Sequence, residues 1–186
     1  MEALFDGRSL PVHYAALGFL VDGPIHGYEL RRRLADGLGS LWRIALSQLY
    51  TVLHRLEDRG WAESYVEDGS SRPSRTVYRA TSEGTRAFEA WVSSPVDHLR
   101  DVRVEFLAKV YFLRRRASVS AVAGLLDAQI DVLEEFERAL GRRDAVESDD
   151  VGFGSIVLSF RRKRVQSMLE WMAEQRDQST EAEDDG

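Results

Sequence analysis

Between Ser47 and Arg55 the chain sets out Ser47, Gln48, Tyr50, Thr51, His54 and Arg55, interleaved with Leu49, Val52 and Leu53, and Leu56 follows. On a helix the four apolar residues fall on one face, and the six polar ones point away from it. The six are hydrogen-bonding or cationic types gathered toward the N-terminal turns, the end a helix-turn-helix presents to the major groove. A glutamine can pair with adenine and an arginine with guanine or phosphate. Tyrosine and threonine can meet phosphate oxygens or thymine methyls. An ordinary solvated helix face would show the same residue types, and the pattern alone leaves both readings open.

A second cationic group lies at Arg72, Arg75 and Arg79, with no acid between them and with Gly69, Ser70, Ser71, Pro73 and Ser74 around them. A cationic loop tip suits a minor groove or a phosphate backbone. Arg79 falls in a strand pattern and has Glu57 and Glu63 as candidate partners, so a structural role is expected for it. Arg31-Arg32-Arg33 must point outward in part, because Leu30 and Leu34 point in. They are read equally as phosphate contacts or as a solvated face.

Enzyme chemistry finds no footing. The four histidines, His13, His26, His54 and His98, are scattered, and cysteine is absent. This removes disulfides, thiolate metal sites and thiol nucleophiles together. His26 lacks a second histidine four residues on, so it is expected to cap a helix rather than hold a metal. No nucleophile–base pair, phosphate-cradling glycine loop or spaced carboxylate dyad is present. Neither a catalytic residue nor a cofactor is expected.

The elements that must position these groups follow from periodicity. Val12, Ala15, Ala16, Phe19 and Leu20 form a helical stripe, stopped by Asp22-Gly23-Pro24. A second helix is expected from His26-Gly27 to about Asp36, ended by Gly37 and Gly39, and a third from Leu46 to Arg59, closed by Gly60. Trp61–Glu67 and Thr76–Ala80 read as strands flanking the polar turn Asp68–Ser74. Thr81-Ser82-Glu83-Gly84 offers a cap for a fourth helix through Trp91. This order is that of a winged helix-turn-helix.

Beyond Ser93-Ser94-Pro95 the pattern is helical throughout, over Arg103–Arg115, Ser118–Gly141 and Phe153–Arg176, with an acidic loop at Asp144–Asp150. The expected architecture is mainly α: a winged helix-turn-helix with a two-stranded β wing over residues 1–92, a C-terminal α-helical dimerisation domain over 93–178, and an acidic disordered tail over 179–186. The helices beyond residue 93 are apolar on one face and need a partner to bury it, which a two-fold dimer provides. Tyr111, Phe136, Phe160, Met168 and Trp171 are candidates for an effector pocket or a dimer interface, against plain helix–helix core. Arg161-Arg162-Lys163-Arg164 is read as a solvated face or a contact for an acidic partner.

The net charge is −6, which argues against non-specific polyanion binding. Residues 1–92 are nearly neutral, however, with 11 basic against 12 acidic side chains. A specific contact is therefore compatible with the total. No apolar run is long enough to cross a bilayer, no signal peptide is apparent, and a cytoplasmic location is expected.

Four segments, in order and at consistent separations, resemble the PadR family of bacterial regulators: Tyr14-Ala15-Ala16-Leu17-Gly18-Phe19-Leu20, Gly23-Pro24-Ile25-His26-Gly27-Tyr28-Glu29-Leu30, Ser47 through Glu57, and Val77-Tyr78-Arg79-Ala80-Thr81-Ser82-Glu83-Gly84. The arm is more loosely similar, with Val104–Phe112 resembling the start of the family's longer C-terminal domain. The resemblance implies a homodimeric winged-helix repressor that binds double-stranded operator DNA, is released by a small molecule such as an aromatic effector, and has no membrane association. The alternative is a winged-helix module that contacts a protein instead of DNA. Two positions depart from the family pattern: Ala45 stands where a capping serine is frequent, and Thr51 where proline is.

Overall fold

The computed structural model describes residues 11–69, 72–116, 119–144 and 152–184. They form two compact units. The first comprises the described residues up to Val92 together with Leu107–Phe112; the second comprises Ser93–Phe106 and the described residues from Leu113 onward.

In the first unit, helix α1 (Pro11–Val21) is the centre. Ala15, Ala16, Leu17, Phe19 and Leu20 are all buried on it, so it is apolar almost all round rather than on one stripe. Its Gly18 leaves room for two aromatic rings. A Cβ there would lie 2.6 Å from Phe88 and 2.7 Å from Phe112. Strand β1 (Ile25–His26) leads into α2 (Gly27–Leu38), and α3 (Leu46–Asp58) follows a short loop. Gly60, at φ +70°, closes α3: its N–H donates to Glu57 O and the Trp61 N–H donates to Leu56 O, both at 2.8 Å. This is the left-handed exit that glycine tolerates best.

Strands β2 (Ala62–Gly69) and β3 (Arg72–Ala80) form the wing. They run antiparallel from Ala62 opposite Ala80 out to Gly69 opposite Arg72, with a register shift between Glu67 and Gly69. The strands therefore extend through most of the stretch that the sequence reads as a polar turn; Ser70 and Ser71, at its centre, lie outside the described residues. The wing has the two strands expected, and a short third strand joins its sheet in the order β1-β3-β2, since Ile25 and His26 pair with Tyr78 and Val77.

Helix α4 (Ser82–Val92) starts at Thr81, whose hydroxyl accepts from the Gly84 N–H at 3.0 Å and donates to Gly60 O at 2.6 Å. Gly84 is fixed by crowding: a Cβ on it would meet Trp61 O at 2.0 Å. Phe112, although distant in sequence, completes this core. It packs edge-on to Phe19 and Phe88 at 5.2 and 5.3 Å between centroids.

Three expectations are corrected here. Helix α2 does not stop at Gly37 but runs through it to Leu38. The glycine is there for space, because a Cβ on it would fall 2.1 Å from the Tyr111 hydroxyl. His26 stands at the N-terminus of α2 but makes no side-chain cap. Its backbone is in β1, and its Nε2 lies 3.8 Å from Glu67. The third concerns the C-terminal end, where α8 continues to Asp184 instead of giving way to a disordered tail.

The second unit holds α5 (Leu99–Asp101), a π-helical turn (Val102–Phe106) and the end of α6 (Leu107–Arg115), with the long helices α7 (Val119–Asp144) and α8 (Phe153–Asp184). Helices α7 and α8 pack against each other. Gln166 donates to Glu137 at 3.2 Å, and Arg176 lies 3.7 Å from Asp127, the register of an antiparallel pair. Leu125, Leu126, Leu133, Val165 and Met172 are buried in this unit. The acidic loop expected at 144–150 lies outside the described residues beyond Asp144.

Candidate nucleic-acid interface

The buried stripe of α3 is the one its spacing requires. Leu49, Leu53 and Leu56 are fully buried and Val52 nearly so. Ser47, Gln48, Tyr50, Thr51 and His54 are exposed on the opposite side, and Arg55 is half-exposed. One rigid helix thus carries all six on its outward face.

Several of these side chains are already engaged. Gln48 Oε1 accepts from the Ala45 backbone N–H at 3.1 Å, which is the N3 half of a capping box; the other half, from a residue-45 side chain to the first-turn N–H groups, has no acceptor on alanine. Thr51 Oγ1 donates to Ser47 O at 3.2 Å, and His54 Nδ1 lies 3.2 Å from the Glu57 carboxylate. The Tyr50 ring is seated against Gly27, where a Cβ would come within 3.0 to 3.1 Å of it. Glycine at the start of α2 therefore positions the exposed tyrosine of α3.

Beside this face lies a cleft of about 310 Å³ lined by His13, Trp42, Arg43, Gln48, Thr51 and Arg55 among others. Arg43 is exposed in the loop that leads into α3. It stands outside every periodic segment of the sequence. Its signal was position: a cation three residues before a helix N-terminus.

On the wing, Arg75 is exposed, with Glu67 as its cross-strand neighbour. The Arg72 backbone belongs to β3, while its side chain lies outside the described residues. Arg79 is tied down. Its Nε donates to Glu63 at 2.8 Å, and its guanidinium lies 5.8 Å from the centroid of the Tyr65 ring. On α2, Glu29 holds Arg32 at 2.9 Å and Arg33 at 3.2 Å, while Arg31 lies over the Tyr28 ring. The hydrogen bonds from Arg32 and Arg33 hold the Glu29 carboxyl below its ordinary range.

The five aromatic and methionine candidates are divided between the two units. Tyr111 belongs to the first unit, 5.2 Å from Phe112 and 6.2 Å from Phe19 between ring centroids. Phe136 and Met168 are half-buried in the second unit, where Phe160 and Trp171 are exposed. No group of histidines and acids that could hold a metal occurs among the described residues, and no described helix is long and apolar enough to cross a membrane.

Comparison with known proteins places the chain. Residues 16–90 match the model of the transcriptional regulator PadR-like family. A curated relative, the negative transcriptional regulator PadR of Bacillus subtilis, is 25% identical over 167 residues, spanning 86% of this chain and 92% of its own length. Among solved structures, Bacillus subtilis PadR in complex with operator DNA covers 89% of this chain and 97% of its own at 22% identity and a TM-score of 0.45. A transcriptional regulator from Clostridium thermocellum covers 42% of this chain and 74% of its own at 30% identity and a TM-score of 0.38. Over residues 16–90 the chain is therefore similar to transcriptional regulators of the PadR-like family.

Proposed function

We propose that this regulator is a homodimeric, sequence-specific DNA-binding repressor that reads its operator through α3 and the wing. The observation that carries the reading is the outward face of α3. There Ser47, Gln48, Tyr50, Thr51, His54 and Arg55 share one exposed side of a helix whose other side is locked into the core. Arg72 and Arg75 would add phosphate or minor-groove contacts from the wing. Repression is favoured by the curated relative, which is named a negative regulator.

In this reading residues 1–92 form the DNA-binding domain, 93–178 the dimerisation and effector domain, and the acidic residues from 179 on follow it. Dimerisation is supported by Phe153, Ile156 and Phe160, which follow one face of α8 and remain 79, 65 and 61% exposed. Two recognition helices would then meet half-sites about 34–36 Å apart. A small aromatic effector would release the DNA only by binding one arrangement of the dimer better than the other. Tyr111, Phe136, Phe160, Met168 and Trp171 are its candidate contacts or the dimer's. The protein acts in the cytoplasm and catalyses no reaction.

A gel shift against DNA from upstream of its own gene, with scrambled competitor and varied salt, tests this. A specific shift that weakens as salt rises is expected. Absence of any shift at low salt would overturn the reading in favour of a winged helix that contacts protein.

A further inference from the structure

We infer that the second unit carries an anion site for a small phosphate-bearing organic ligand, in the cleft between the start of α5 and the facing parts of α7 and α8. The cleft measures about 460 Å³ and is lined by His98, Arg100, Phe136, Leu140, Arg161 and Arg164, with Leu99 and Ala139 filling its wall. Three arginines and a histidine are among its lining residues, and no acidic residue is among the described ones. The chain as a whole has 31 acidic against 25 basic residues, so this local balance runs against the composition.

The cations have some neighbours of their own. Arg100 Nε lies 3.6 Å from Asp101, a surface contact with 73% of the arginine side chain exposed, and the Arg164 guanidinium lies over the Phe160 ring at 5.6 Å. Neither contact saturates a guanidinium, which has five donors. The floor is apolar: Phe136 and Leu140 stand one helical turn apart on α7 and present a ring and an aliphatic surface.

These two halves specify the ligand's chemistry. The apolar floor takes a flat, weakly polar body. The three arginines are more than one carboxylate can use, whereas a phosphomonoester brings nearly two charges and three acceptor oxygens to meet several guanidinium forks. The volume is within the range of small-ligand pockets. A mononucleotide satisfies both halves. All its lining residues belong to the second unit, and the assignment does not rest on DNA binding by the α3 face or the wing.

Isothermal titration of the full chain with AMP, adenosine and benzoate tests the assignment, alongside the surface variant Arg161→Gln/Arg164→Gln and the wing variant Arg75→Ala. AMP is expected to bind with an affinity that falls as salt rises. Adenosine should bind at least about tenfold more weakly, as should AMP to the double variant at unchanged helicity, since each change removes charge-assisted bonds. Arg75→Ala should leave AMP binding intact. No AMP binding at low salt would overturn the site, as would equal binding by the double variant or loss of binding in Arg75→Ala instead. Benzoate binding as tightly as AMP would overturn the phosphate assignment. A double variant that changes the oligomeric state in a protein that ignores AMP would show the cleft to be covered by a second copy of the chain.

Discussion

Gln129 closes a ring of two hydrogen bonds with the backbone of Val96: it accepts from the Val96 N–H at 2.7 Å and donates to the Val96 carbonyl at 3.1 Å. The glutamine is fully buried on α7, and Val96 is buried beside it. The amide does what a neighbouring strand would do, satisfying a donor and an acceptor in a segment that has no regular structure. Gln129→Leu leaves both backbone groups buried and unpaired at roughly 1–3 kcal/mol each. A loss of about 2–6 kcal/mol is expected, seen as a lower urea midpoint with an unchanged slope. Gln129→Glu should also destabilise at neutral pH, because a carboxylate cannot donate to the carbonyl. An unaltered midpoint in both variants would mean that the pair contributes nothing to stability.

Tyr50 and Gly27 form a second coupled pair. Gly27→Ala places a methyl within 3.0 to 3.1 Å of the tyrosine ring, so the ring must shift by a few tenths of an ångström or more. If Tyr50 contacts DNA, Gly27→Ala and Tyr50→Ala should each weaken operator binding by about 1–2 kcal/mol. The double variant should lose little more than Tyr50→Ala alone, because residues in contact are not additive. Fluorescence anisotropy on a labelled operator measures this. Full additivity would show that the two residues act separately.

The capping of α3 can be separated from its recognition. Gln48 now serves Ala45 N–H, so Gln48→Ala should cost about 1 kcal/mol of stability as well as any base contact. Ala45→Ser offers a local cap and is expected to add about 0.5–1 kcal/mol by itself. In the double variant Ala45→Ser/Gln48→Ala the thermal midpoint should return to that of the parent while operator discrimination stays reduced. Recovery of both together would assign Gln48 to the helix terminus alone.

These relationships mark where the sequence stops being informative. The buried stripe Leu49, Val52, Leu53, Leu56 and the exit at Gly60 were legible because a 3.6-residue period and a left-handed glycine are local facts. The face opposite that stripe was legible for the same reason. Gly37 was misread as a helix stop because its reason for being small is the Tyr111 ring, which lies more than seventy residues away in sequence. The two-residue strand β1 is too short to show a period and exists only through its pairing with β3. The membership of Leu107–Phe112 in the first unit has the same origin. An amphipathic helix shows that it buries a face, but not against what. The bond that Gln48 accepts from the Ala45 N–H was not legible, because periodicity gives the direction of a side chain and not the backbone donor it meets.

The arginines of the wing should differ in a measurable way. Arg79 is held by Glu63 at 2.8 Å, whereas Arg75 is exposed on the outer part of β3. Each phosphate contact removed lowers the slope of log K against log salt by about 1. Arg75→Ala and Arg72→Ala should each reduce it by about that amount. Arg79→Ala should leave the slope unchanged and cost stability of no more than about 1 kcal/mol, the range for an exposed ion pair. A slope that falls equally for all three would make Arg79 a phosphate contact too.

Glu29 acts in the opposite sense. Its carboxylate holds Arg32 and Arg33, which would otherwise be available to phosphates at the surface of α2. Glu29→Gln is expected to tighten operator binding by about two- to fivefold and to steepen its salt dependence, because a negative charge near the DNA is removed and two guanidiniums are released. The same pairing sets a pH dependence. The folded carboxyl is depressed below its ordinary value by Arg32 and Arg33. The contribution of the pairs to stability is therefore present above the ordinary carboxylate range and is lost as pH falls through the folded value. Glu29 is partly exposed to solvent, which screens the pairs, so the stability effect is small and the operator affinity of the variant is the sensitive readout. Binding that weakens in Glu29→Gln would show that the carboxylate orients the two arginines toward the phosphates rather than withholding them.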